Sequence, residues 1–393
     1  VKTVKVNCVC TTPERWSGSD SSALEIRYVD IGGVDRLDRR IASASTLLAA
    51  DAPSRAQWVL NEGDVLVATV RPNLNAVCRI PPEFAGAIGS NGFAALRPNA
   101  ALLDSWYLYF WTRSPSFIDM LVRRATGAAY PAVSLADVES LEIPLPPLDE
   151  QRRIADILDA ADALRRKRRE ALRLLDELQR ATFLEMFGDP VTNPKGWPVV
   201  PLSSLWLDGP TNGLYVPSTQ YGRGTPIIRI DAFARGRLSS QAQLRRVDID
   251  AEQRDRYEVR TGELLVNRVN SIEHLGKAIA LPVLVERTVF ESNMMRIRLD
   301  EGRVTARFVA HQFELGRIKA QIRNCAKDAV NQSSINQTDV GSLEIMTPPV
   351  TELERYEAAL LSLSKKESLM EAAATTTETL FAALLDRAFR GEL

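Results

Sequence analysis

The stretch IPLPPLDEQRRIADIL (Ile143–Leu158) decides how this chain is divided. Its proline pair, Pro146-Pro147, ends whatever precedes it. It also sits where a helix begins, because a proline there gives up an N–H that the first turn does not need. Asp149 and Glu150 add negative charge at that start, where the helix dipole favours it. Apolar residues then recur every three or four positions at Ile154, Ile157, Leu158, Ala161, Leu164, Leu172, Leu175 and Leu178. The spacing predicts one helix over Leu148–Phe187. At about 1.5 Å per residue it is a rod of roughly 60 Å. Phe187-Gly188-Asp189-Pro190 supplies the stop, with glycine and proline in their usual places.

Outward from this stretch the chain repeats itself. Ser90-Asn91 returns as Ser292-Asn293, Val138 as Val340 and Leu141-Glu142-Ile143 as Leu343-Glu344-Ile345. Pro146-Pro147 returns as Pro348-Pro349, Glu150 as Glu352, Leu178 as Leu380 and Phe187 as Phe389, all at an offset of 202. Gly63–Val67 matches Gly262–Val266 at an offset of 199. So many identities in one order imply a duplication. A second helix, Val350–Phe389, follows with a weaker stripe at Tyr356, Leu360, Leu363, Met370, Leu380 and Leu384. A stripe on one helix needs a partner, and the other copy is the obvious one. The pairing face is expected to use Ile154, Leu158, Ala161, Leu164, Leu175 and Leu178 against Tyr356, Leu360, Leu363, Met370, Leu380 and Leu384. Ahead of each helix lies a region of short apolar, strand-like runs such as Asp64–Thr69 and Glu263–Asn267, broken by Gly, Pro and Asn. The predicted plan is a mixed α/β chain. Residues 1–147 and 191–349 form two globular domains related by pseudo-twofold symmetry. They are separated by long antiparallel helices, 148–190 and 350–393, that form a coiled coil.

Composition narrows the function. The 393 residues are 45% hydrophobic and 25% charged, with a net charge of −1. Segment 191–349 alone carries 21 Lys and Arg against 17 Asp and Glu, which permits a locally basic face. No run of 18 apolar residues appears, so no membrane span is expected. The opening Val1–Lys5 lacks the apolar stretch of a signal peptide. Cys8, Cys10, Cys78 and Cys325 are too uneven for a disulfide framework. No histidine stands beside Cys8 and Cys10 to complete a metal site. Reduced thiols in a cytoplasmic protein and no bound metal are the expectation. His274 and His311 read as incidental polar residues. No phosphate loop, nucleophile elbow or paired-histidine helix is present. A chain without such chemistry binds rather than turns over.

Two similar modules on a rigid spacer suit the reading of two short stretches of duplex at a set separation. Arginine reaches guanine and asparagine reaches adenine with paired hydrogen bonds. Arg71, Asn73 and Asn75 lie just past one strand-like run, and Asn267, Arg268 and Asn270 lie at a comparable place in its copy. Equally, asparagines there favour turns with no ligand at all. A second candidate loop precedes each proline junction, with Thr126 and Tyr130 in one copy and Lys327, Asn331, Gln332 and Ser333 in the other. Tyr130 falls opposite Gln332, as a position that reads different bases should, though a tolerant surface loop also varies. The basic run Arg165–Arg169 could touch phosphates. It reads better as a solvated face paired along the helix with Asp162 and Glu170.

Ile143–Leu158 resembles the junction between recognition domain and conserved helix in the specificity subunits of type I restriction–modification systems. MFGDPVTNPKGWPVVPLSSL (Met186–Leu205) resembles that family's entry to its second recognition domain. GDVLVATVRPNLNAVCRI (Gly63–Ile80) and AVNQSSIN (Ala329–Asn336) are similar to its recognition-domain patterns. The second junction departs from the pattern, with Leu353 where a glutamine is usual, which bears on how evenly the two helices dock partners. The resemblance implies two target-recognition domains reading a split, asymmetric site in double-stranded DNA. It implies two modification subunits that methylate adenine and a motor-nuclease subunit. S-adenosylmethionine, ATP and Mg belong to those partners, so this chain would be non-catalytic and hold no cofactor. A methylation-only or phage-defence complex without the nuclease is the nearest alternative, and a coiled-coil scaffold with no DNA role is a more distant one.

Overall fold

The computed structural model describes residues 2–18, 24–127, 130–234, 236–238, 240–329 and 332–393. The chain forms two compact units. Residues 1–172 and 369–393 make unit 1, and residues 173–368 make unit 2. The long helices run over Leu148–Phe187 and Val350–Arg390, and each contributes one portion to each unit.

The two units share one strand plan. In unit 1 the sheet order is Cys10–Thr11, Phe93–Pro98, Val65–Ala68, Val77–Arg79. In unit 2 it is Trp206–Asn212, Met294–Leu299, Leu264–Asn267, Ala278–Ala280. Register is kept as well, with Val65 opposite Leu96 in one and Leu264 opposite Ile297 in the other. The second sheet repeats likewise: Ile88 pairs in parallel with Tyr28, and Val289 in parallel with Ile227. Val65–Ala68 and Leu264–Asn267 are buried at every position. That explains why both read as continuous apolar runs rather than alternating ones.

Within unit 1, Arg153 donates to the Leu393 carbonyl at 2.8 Å and Arg165 to Glu378 at 2.8 Å. A step forward along one helix is thus a step back along the other, and the two are antiparallel. Unit 2 shows the same sense, with Gln179 donating to Glu367 at 3.2 Å and Phe183 against Tyr356. Ile154, Leu158, Leu175, Tyr356 and Leu360 are buried, while Ala161, Leu363, Met370 and Leu384 are half-buried. Leu164, Leu178 and Leu380 are corrections: they are 41%, 49% and 49% exposed. Each helix half also packs on its own domain, which turns the buried face toward Leu353, Phe381, Leu385 and Ala388 instead.

The helix stop is built from the motif after Phe187. Gly188 adopts φ +80°, and a Cβ there would meet Pro194 at 2.5 Å. Lys195 Nζ donates to the carbonyls of Glu185 and Met186, and Trp197 Nε1 to that of Phe187 at 2.9 Å. These donors satisfy carbonyls that the ending helix leaves without partners. The departure at Leu353 also has a local cause. Its counterpart Gln151 is buried, donates to the carbonyls of Leu102 and Pro146, and accepts from the Asp104 N–H. Leu353 instead lies 1% exposed in the apolar core of unit 2. The difference is therefore one of internal packing.

Candidate nucleic-acid interface

In unit 1 the chain leaves strand Val65–Ala68 and turns sharply. Arg71 (φ +51°) and Asn75 (φ +46°) bracket a single turn of 3-10 helix, Pro72–Leu74. Left-handed backbone at two non-glycine residues is costly and must be held by its surroundings. Here the Arg71 N–H donates to the Pro131 carbonyl at 2.7 Å, and the Asn75 side chain donates to the Thr112 carbonyl at 2.8 Å. Val70 and Thr126 both bridge to Ala132. The two loops singled out separately in the sequence are therefore one surface. On it the Arg71 guanidinium lies 4.9 Å over the ring of Tyr130, which is 68% exposed. Asn73 and Thr126 are exposed beside them.

Unit 2 repeats the scheme as a three-stranded sheet, Val269–Asn270, Gln332–Ser334 and Lys327–Ala329. Ser334 pairs with both Val269 and Lys327, as Ala132 does with Val70 and Thr126. The Ile335 N–H donates to the Arg268 carbonyl at 3.0 Å, matching Val133 to Thr69 at 2.9 Å. Gln332 and Lys327 are exposed and Asn270 is half-buried. Asn331 lies outside the described residues.

Some candidates are corrected. Asn75 is 5% exposed and serves its own turn. Asn267 is fully buried as the last residue of the inner strand Leu264–Asn267. Ser333 is 6% exposed, on the inner face of its strand. Arg268 is tied back to the Ser292 carbonyl at 3.3 Å. Asn75, Asn267 and Ser333 are thus buried, and Arg268 is half-buried with one guanidinium N–H engaged.

Much of the basic run on the first helix is tied into ion pairs rather than free in solvent. Asp162 is buried and takes Arg113 at 2.8 Å, Arg165 at 2.7 Å and Arg166. Burial pushes its carboxyl up, but the Arg113 hydrogen bond and the charges of Arg113, Arg166 and Arg165 outweigh it, leaving it below its usual range. Arg169 pairs with Asp38 at 2.8 Å, and Arg165 stacks 4.2 Å from the Phe381 ring centre. Unit 2 reverses the charges: Arg237, in the short strand Arg237–Leu238, reaches Asp176 and Glu367 on the helices. Asp162 and Arg113 are 49 positions apart and Arg237 and Asp176 are 61 apart, so no local pattern could reveal them.

His311 is not incidental. It contacts the Tyr356 hydroxyl and packs edge-on to Phe183. Burial, helped by Arg307 and Arg237, pushes its imidazole down to about 4. Cys10 and Cys78 are buried thiols held protonated by desolvation, each pushed up to about 12. Among the described residues no group of three His, Cys, Asp or Glu could hold a metal ion. Nor is any helix among them long and apolar enough to cross a membrane.

Residues 53–174 match the family model for the type I restriction modification DNA specificity domain. The StySPI specificity subunit of Salmonella potsdam is 25% identical over 76% of this chain and 67% of its own length. The EcoKI specificity subunit of Escherichia coli K12 is also 25% identical, with the same coverage. In fold, the chain resembles the S subunit of a type I restriction–modification system from M. genitalium. That likeness has a TM-score of 0.58 at 11% identity, covering 99% of this chain and 96% of that one. A duplicated strand plan, paired long helices and these matches point one way: residues 53–174 match a type I restriction modification DNA specificity domain, and over 76% of its length the chain is similar to specificity subunits of type I restriction enzymes.

Proposed function

We propose that each unit reads one part of a bipartite, asymmetric site in double-stranded DNA. Arg71, Asn73, Thr126 and Tyr130 would face bases from unit 1, and Asn270, Lys327 and Gln332 from unit 2. The reading rests on one observation: both units build the same paired-loop surface but present unlike polar side chains on it. A shared frame with different contacts is what two unequal half-sites require. Each good base contact discriminates by about 1–3 kcal/mol, so several per unit supply a usable preference.

The finer assembly belongs to the same proposal. Two adenine-methylating modification subunits and a motor-nuclease subunit would dock on this chain in the cytoplasm. Those partners would carry S-adenosylmethionine, ATP and Mg, while this chain contributes no catalytic group. The unread interval between the half-sites would depend on the length of the two long helices.

The test is methylation mapping in cells that express this chain with its modification subunit. One split motif is expected. Tyr130→Gln should alter only one half of it and Gln332→Tyr only the other, with tenfold or greater loss of selectivity. A motif unchanged by both substitutions would sink the assignment of these loops.

A further inference from the structure

Unit 1 contains a cleft of about 410 Å³ that the base-reading surface does not use. Its walls include Arg36, Arg39, Arg113, Arg165 and Arg169, with Glu378 as the acidic group among them. Three carboxylates neutralise part of this charge. Asp162 takes Arg113, Arg165 and Arg166, Asp38 takes Arg169, and Glu378 takes Arg165 and Arg169. Six guanidinium groups thus face three acids. Among the described residues neither Arg36 nor Arg39 forms an ion pair with a carboxylate, although the Asp162 charge offsets part of the repulsion at Arg39.

Arg39 is the telling residue. It is held at φ +55°, a conformation that costs free energy outside glycine. Its guanidinium is only half-exposed and finds one neutral acceptor, the Leu74 carbonyl at 3.2 Å. Burial and the neighbouring charges of Arg113 and Arg165 push it down to about 10. A half-buried cation pressed against like charges is destabilising until an anion arrives. Guanidinium forks match the several oxygens of a phosphate better than the two of a carboxylate.

We propose that this cleft is a phosphate-binding site, with the oxyanion held between Arg36 and Arg39 and with Arg169 at its rim. The phosphate is either that of a free polyphosphate or nucleotide, or a phosphodiester of the DNA backbone. The site itself does not depend on which residues read bases.

Inorganic pyrophosphate is titrated into the full chain at constant ionic strength while the thermal midpoint is followed. In parallel, DNA affinity with the modification partner is measured across a range of salt. A saturable rise in midpoint, weakened tenfold or more in Arg39→Gln and Arg36→Gln with DNA binding unchanged, supports a free phosphate ligand. A fall of about one in the slope of log affinity against log salt in those variants supports a backbone phosphodiester. Should pyrophosphate act no differently from chloride and the slope stay that of the wild type, the proposal is overturned. If Arg39→Gln does not fold, the exposed Arg36→Gln carries both measurements. Failure of the wild-type complex to bind DNA would count against the DNA-reading proposal, while the pyrophosphate titration would still decide this one.

Discussion

Replacing Asp162 by alanine is the sharpest perturbation that the helix pair offers. The Asp162 side chain is 1% exposed and that of Arg113 is 5% exposed, with 2.8 Å between them. Arg165 and Arg166 share the same carboxylate. Removing it leaves one guanidinium buried without compensation and two more in mutual repulsion. Breaking a buried pair from one side costs about 3–5 kcal/mol. Unit 1 holds about 200 residues. At that size each kcal/mol moves the midpoint by about 2–4 °C, so Asp162→Ala should lower unit 1 melting by roughly 10 °C. Chemical denaturation gives the free energy directly. The double variant Asp162→Leu with Arg113→Met should lose less than Asp162→Ala alone, because it removes the stranded cation as well. The pH dependence has a definite sign. The folded carboxyl lies below its unfolded value near 4, so the stabilisation is complete above about pH 4 and is lost as pH falls through the folded value. A midpoint for Asp162→Ala within about 2 °C of wild type would refute the reasoning.

Unit 2 offers a parallel test. Arg237→Glu sets a third carboxylate against Asp176 and Glu367. It should cost about 2–3 kcal/mol in urea unfolding of that unit and leave the unit 1 transition in place. His311 stays neutral in the fold to about pH 4 but takes a proton near pH 6.5 when unfolded. Stability of unit 2 should therefore fall between pH 6.5 and 4, by up to about 3 kcal/mol, and His311→Phe should flatten that limb of the curve. Gln151→Leu strips three hydrogen bonds from buried backbone and should destabilise unit 1 by about 3 kcal/mol. Leu353→Gln should cost about as much in unit 2, where the amide finds an apolar core. Equal tolerance of both changes in thermal scans would show that the two positions are interchangeable after all.

Much of the architecture lies open in the sequence. The proline pairs, the three-and-four spacing and the glycine stop mark two long helices, and the offset identities reveal the duplication. These signals are local, or compare one stretch with another, so a linear reading can find them. The inner strands are equally plain, because a strand covered on both faces must be apolar throughout. Which polar residues reach the surface is another matter. Asn75 and Asn267 look like readers in the sequence, yet one is spent on a turn and the other is shut inside a sheet. Arg71 and Tyr130 lie far apart in the chain and meet only because Val70 and Thr126 both pair with Ala132. Asp162 seems one more acid on a charged helix until Arg113 closes over it. Periodicity records how a segment satisfies its own backbone and its own apolar face. Pairings made when distant segments return to each other depend on where the whole chain folds, so only the tertiary structure decides them.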